Sequence, residues 1–267
     1  MATFQAEFFS KSLKRLVPVS VVIPVEQAAA PGSGDGRPYK TIYLLHGYSG
    51  SNTDWLRESR ISLLSQIYRV AVVMPSCNNS FYLDDEAMGE YYGKYVAEEL
   101  VELTRKVFPL SNRREDTTIA GLSMGGYGAM RNGLKHNDVF GSIVALSSAF
   151  ITDQVSQLKE GESTGVAPYS YYAHVFGDLK QLSGSDKDPK ALASGLLERG
   201  ETLPRIYMAC GTEDFLLEPN RSLHRHLTDI GYAHEYRENA GVHNWAFWDD
   251  HIEKAMEWLY GKPQAGQ

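Results

Sequence analysis

Residues 117–134 read Thr-Thr-Ile-Ala-Gly-Leu-Ser-Met-Gly-Gly-Tyr-Gly-Ala-Met-Arg-Asn-Gly-Leu. A β-branched, apolar run of the kind found in buried parallel strands passes through a glycine-flanked serine into a proline-free stretch of helix formers. A serine at such a strand-to-helix turn is pushed to the edge of a sheet, where its hydroxyl can meet a substrate and a base. The turn needs small neighbours, and Gly121 and Gly125, two residues either side of Ser123, supply them. Helix starts leave backbone N–H groups without intrahelical partners, so the N–H of Met124 is free to face a developing oxyanion. The bland alternative is a glycine turn with no chemistry, because Gly-x-Ser-x-Gly alone is a weak signal.

The surrounding chain decides between these. Apolar runs recur at 16–25, 41–45, 70–74, 117–120, 142–146, 205–209 and 233–237, and helical periodicity falls at 54–66, 91–107, 124–135, 218–230 and 245–260. That alternation builds an α/β fold with a mostly parallel central sheet covered by helices on both faces. Residues 1–10 and 16–25 are too close for a crossover and are expected as an antiparallel hairpin. A length of 267 residues suits a single domain spanning 1–267. Residues 26–40 read as an exposed loop. Residues 149–200, between strands 6 and 7, are far longer than an ordinary connection and carry Tyr169, Tyr171, Tyr172 and Phe176. They are expected as a cap-like insertion over the site; a solvent-facing insertion packed on the body is the alternative.

A serine hydroxyl needs a base, and histidine has the right pKa. Of eight histidines, His224 and His226 sit in a charged helical run, His136 and His174 in polar surroundings, and His251 in the final amphipathic helix, all five expected in surface or satisfied structural roles, and His234 lies within the run 233–237. His46 and His243 remain. His243 follows the last strand, where open α/β sheets place their sites, and is the candidate base. His46 precedes Gly47-Tyr48-Ser49-Gly50, a turn with backbone donors to offer, and is expected to orient that loop. The orienting acid should fall between serine and histidine in the chain. Asp214, in Gly211-Thr-Glu-Asp-Phe, fits best, and Glu213 is its neighbour and rival. Trp55, Phe81, Tyr82, Trp245 and Trp248 are candidate walls of a substrate pocket, with ordinary packing the competing role.

Four blocks, Tyr43-Leu-Leu-His-Gly-Tyr-Ser-Gly with Trp55 downstream, Val73-Met-Pro-Ser, Ala120-Gly-Leu-Ser-Met-Gly-Gly-Tyr-Gly, and Gly211-Thr-Glu-Asp-Phe with Ala240-Gly-Val-His-Asn-Trp, together resemble the α/β-hydrolase fold. Within it the chain resembles the esterase D group, most closely the bacterial tributyrin esterases. The resemblance spans nearly the whole chain. It implies a Ser123, Asp214, His243 triad, an oxyanion hole from the backbone N–H groups of Met124 and Tyr48, and hydrolysis of short-chain carboxylic esters without a cofactor or metal. The same group holds S-formylglutathione hydrolases, feruloyl and acetylxylan esterases and mycolyltransferases, so a thioesterase or an acyltransferase with the same triad is the alternative. Leu44-Leu-His-Gly stands where S-formylglutathione hydrolases carry a longer tryptophan-containing glycine loop, which argues against that substrate.

A net charge of −7, with 26 Lys plus Arg scattered rather than blocked, argues against nucleic acid or an anionic membrane as a partner. The expected partner is a small-molecule ester, and a homo-oligomer stays open. No segment has the apolar length of a membrane span, and the N-terminus lacks the basic start and apolar run of a secretion signal, so a cytoplasmic setting is expected. Cys77 and Cys210 are expected as packed thiols rather than a disulfide or metal pair.

Overall fold

The apolar runs pair into one eight-stranded sheet in a computed structural model that describes residues 1–25 and 38–263. Its strands are β1 Ala2–Ser10, β2 Arg15–Ile23, β3 Lys40–Leu45, β4 Val70–Pro75, β5 Thr117–Leu122, β6 Ser142–Leu146, β7 Arg205–Gly211 and β8 His234–Asn239. Their order across the sheet is β1-β2-β4-β3-β5-β6-β7-β8. The β1–β2 hairpin and the β2–β4 pair are antiparallel, and every pairing from β4 to β8 is parallel. Strands β4, β5 and β6 are buried along their whole length, which is why they read as unbroken apolar runs rather than as alternating ones.

Alternation reappears in which face each residue covers. Tyr43, Val73, Ile119 and Ala145 point into one core, shared with the helical run 92–107 and helix Met124–Lys135. Ile42, Leu44, Val72, Ala120 and Val144 point into the other, closed by Ile61 and Leu64 and by Phe247, Ile252, Ala255 and Met256 of the last helix. The helices that matter below are α1 Asp54–Glu58, α2 Ile61–Tyr68, α3 Leu100–Val107, α4 Met124–Lys135, α5 Tyr169–Phe176, α6 Pro189–Glu198, α7 Leu217–Asp229 and α8 Trp245–Tyr260.

The helix expected over 54–66 is two helices. At the break Ser59 is extended, its hydroxyl donates to the Trp55 carbonyl at 2.5 Å, and Asp249 on α8 accepts from the Arg60 N–H at 2.7 Å and from its guanidinium at 2.7 Å. A pairing remote in sequence therefore overrides the local periodicity. The loop expected over 26–40 falls at 26–37 outside the described residues. Residues 149–200 carry α5 and α6, and Tyr172, Phe176, Leu179, Ala193 and Leu196 bury themselves in the first core. The insertion is fastened to α4: the Tyr127 hydroxyl donates to the Lys187 carbonyl at 2.5 Å, and the buried Arg131 guanidinium donates to Asp186 at 2.7 Å.

Candidate active site

Ser123 sits between β5 and α4 with φ 53° and ψ −119°, in the half of conformational space that residues with a Cβ avoid. Three backbone bonds hold it there. Its N–H donates to Leu146 O at 2.9 Å, and its carbonyl accepts from Ala149 N at 3.0 Å and Tyr127 N at 3.1 Å. The flanking glycines allow the close approach: a Cβ on Gly121 would lie 2.3 Å from Gly125 O, and one on Gly125 would lie 2.5 Å from His46 O.

The loops after β7 and β8 bring the other two residues to the same sheet end. His243 Nε2 is 3.1 Å from Ser123 Oγ, and its Nδ1 is 2.9 and 3.1 Å from the two carboxylate oxygens of Asp214. A carboxylate only accepts, so Nδ1 carries the proton and Nε2 is left to accept from the serine hydroxyl. The Asp214 side chain is fully buried. Burial alone would raise its pKa, but hydrogen bonds from His243 and from the Leu216 N–H at 2.9 Å outweigh it and hold the carboxyl below its usual range. The imidazole packs near the rings of Phe215 and Trp248, with centroids 4.7 and 4.9 Å away. Glu213, the rival acid, faces elsewhere and accepts the Gly241 N–H at 2.7 Å, fixing the loop that carries His243.

The loop after β3 reaches the serine from the other side. His46 is buried, its Nε2 accepts the Cys77 N–H at 2.9 Å and its Nδ1 donates to Gly47 O at 2.7 Å. Burial lowers its pKa and keeps it neutral, as the accepting Nε2 requires. The segment after β4 adds two more ties: Tyr82 OH donates to His46 O at 2.8 Å, and Asn79 Oδ1 accepts the Ser49 N–H at 2.7 Å. Within the hydrogen bonds of the described residues, neither the Tyr48 nor the Met124 N–H is taken by a backbone acceptor. The hydrogen-bonded chain from Ser123 through His243 to Asp214 can therefore strip a proton from the serine hydroxyl.

A cavity of about 280 Å³ opens at Ser123. Its floor is Phe81, Met124, Ala149 and Leu216, and the insertion supplies Ile151, Gln154, Thr164, Val166, Tyr171 and Tyr172; Tyr48 and Phe215 complete it. Of the aromatic walls expected from the sequence, Phe81 lines it and Trp55, Tyr82, Trp245 and Trp248 do not. Trp55 is 1 % exposed, its indole N–H donates to Leu45 O at 3.2 Å and its ring packs edge-on against Trp245, which in turn meets Trp248. These rings are packing under the site, and Tyr82 is a strut for His46. Phe215 and Asn79 were not singled out in the sequence, although Phe215 directly follows Asp214 in a motif that was.

A model of the family described as "Putative esterase" matches residues 10–259. The chain is 47 % identical over 261 residues to an acetyl esterase of Caldicellulosiruptor saccharolyticus, covering 97 % of this chain and 98 % of that one. Among solved structures it is similar to the substrate-bound fluorophosphonate-binding serine hydrolase F of Staphylococcus aureus (TM-score 0.85, 28 % identity, 97 % and 98 % of the two chains). It is also similar to an S-formylglutathione hydrolase from the same organism (TM-score 0.82, 28 % identity, 97 % and 98 % covered).

Proposed function

Because the chain belongs to this esterase family, of α/β-hydrolase fold, and is a carboxylic ester hydrolase, we propose that it cleaves short-chain acyl esters, acetyl esters foremost, through an acyl-enzyme on Ser123. The observation that carries the reading is the unbroken hydrogen-bonded chain from Ser123 Oγ through His243 to the buried Asp214. His243 takes the serine proton as Oγ attacks the ester carbonyl, and Asp214 stabilises the imidazolium and fixes its tautomer. The Tyr48 and Met124 N–H groups receive the oxyanion, each contributing on the order of 10²-fold or more to rate. His243 then protonates the departing alcohol. Water, activated by the same histidine, releases the acid and restores the serine.

The cavity supports the small-acyl preference, its floor being apolar and buried and its volume about 280 Å³. Residues 149–200 act as a cap in this reading, since seven cavity residues come from them. No helix among the described residues is long and apolar enough to cross a membrane; a cytoplasmic setting is part of the proposal, in keeping with the free thiols of Cys77 and Cys210. The 28 % identity to an S-formylglutathione hydrolase favours a thioester as the second reading.

The test is hydrolysis of p-nitrophenyl esters from acetate to laurate, with S-formylglutathione alongside, by the wild type and Ser123→Ala. Turnover should peak at short acyl chains and fall about 10³-fold or more in the variant. A folded Ser123→Ala protein with undiminished activity would overturn the assignment, and a strong preference for the thioester would transfer it to the second reading.

A further inference from the structure

The base that takes the serine proton must return it to the departing alcohol, so the alcohol oxygen has to come within hydrogen-bond reach of His243 Nε2. Whatever is bonded to that oxygen then lies beside the imidazole. The ring standing there is Phe215, its centroid 4.7 Å from that of His243. Phe215 lines the cavity that holds Ser123, yet it is 65 % exposed. Val166, on the same cavity, is 57 % exposed. These side chains come from the loop after β7 and from the insertion, so their presence on one cavity is not the by-product of one amphipathic element. Convergent bare apolar groups at the mouth of a site mark a surface that a ligand covers.

Beyond Ser123, the polar side chains on the cavity are Tyr48, Gln154, Thr164, Tyr171 and Tyr172, and the last three are already engaged. The Tyr171 hydroxyl donates to Asn79 O at 2.7 Å, and the Tyr172 hydroxyl is paired with Thr164 Oγ1 at 2.8 Å. We propose that Phe215, with Val166 on the same cavity, forms a leaving-group subsite that selects esters of apolar alcohols, alkyl or aryl, over esters of polyols. This rests on the hydrolase reading above. The subsite also works in reverse. An apolar alcohol seated against Phe215 gives its proton to His243 while its oxygen bonds to the acyl carbon; the Ser123 Oγ–acyl bond breaks and the proton passes to Oγ. Apolar alcohols should therefore compete with water for the acyl-enzyme better than polar ones.

The experiment holds the acyl group constant as acetyl and varies the alcohol: methyl, butyl, hexyl and phenyl acetate and glycerol monoacetate, with wild type, Phe215→Ala and Phe215→Leu. The quantity read is kcat/KM, because it reports acylation, the half-reaction in which the alcohol is present; comparing variant with wild type on each ester cancels intrinsic reactivity. Phe215→Ala should lose about twofold on methyl acetate and about tenfold or more on hexyl and phenyl acetate, with Phe215→Leu recovering part of the alkyl loss. Added butanol should yield less butyl acetate relative to acetate with Phe215→Ala than with wild type. An equal loss on every ester would mean that Phe215 only shields His243, and a wild-type preference for glycerol monoacetate over hexyl acetate would mean a polyol site; either overturns the proposal. Ser123→Ala run in parallel separates this from failure of the hydrolase reading, since esters still cleaved by that variant would count against the serine mechanism whatever Phe215 does.

Discussion

Asn79 joins two parts of the site that belong to different segments. Its side chain accepts from Ser49, one residue beyond Tyr48, the proposed oxyanion donor, and its backbone carbonyl accepts from Tyr171 of the insertion, whose ring meets Tyr48 edge-on at 5.7 Å. Ser49 has φ 61°, a conformation that needs outside support. Asn79→Ala removes the acceptor and should lower kcat about tenfold with little change in KM, because an ill-aimed oxyanion donor is felt in the transition state. Steady-state kinetics on p-nitrophenyl acetate checks it, and a loss confined to KM would refute the positioning role. The meeting of Ser123, His243 and Asp214 was legible from the sequence because the proposed chemistry demands each residue type at a strand end. Asn79 was not, since an asparagine that accepts one N–H in a polar loop leaves no pattern.

At the scale of elements, the strand–turn–helix around Ser123 was legible to the residue, with α4 and α8 starting and ending where periodicity placed them. Its tightness is a matter of backbone contact. A Cβ on Gly125 would meet the carbonyl oxygens of His46 at 2.5 Å and Leu45 at 2.7 Å, atoms that cannot rotate away. Gly125→Ala should therefore destabilise the fold by about 2–4 kcal/mol, read from denaturant unfolding, and should also slow turnover by displacing the Tyr48 loop. The break at Ser59 and Arg60 and the cavity walls other than Phe81, Tyr171 and Tyr172 escaped the sequence for a shared reason. Both depend on partners far along the chain, Asp249 in one case and the sheet-end loops in the other, and local spacing carries no information about them.

For the whole molecule the class of fold was readable and the strand order was not, because a strand's own residues do not name its neighbours. Nor did the sequence reveal that His251, expected at the surface or in a satisfied role, lies fully buried on α8. Among the described residues its Nε2 has no hydrogen-bond partner, Phe247 stacks on it at 4.1 Å, and Tyr207 OH is 3.4 Å from Nδ1. Burial, with Lys254 and Arg237 adding to it and Asp250 opposing, pushes its pKa down to about 4. The unfolded chain then binds a proton near pH 6.5 that the folded one refuses, so stability is complete above that value and is lost as pH falls toward 4. Between pH 7 and 5 this group should withdraw about 2 kcal/mol, and His251→Leu should flatten that part of the profile in thermal melts.

The hydrogen bond between Ser123 and His243 spans 120 positions of chain. Time enters through that number. Helix α4 and its strand can form from contacts near at hand, but the bond that would activate the serine waits until β7, β8 and α8 have docked, the slow class of event in a parallel sheet. Ester turnover in a refolding sample would thus be the last signal to return, a clock that starts only when the final helix is home.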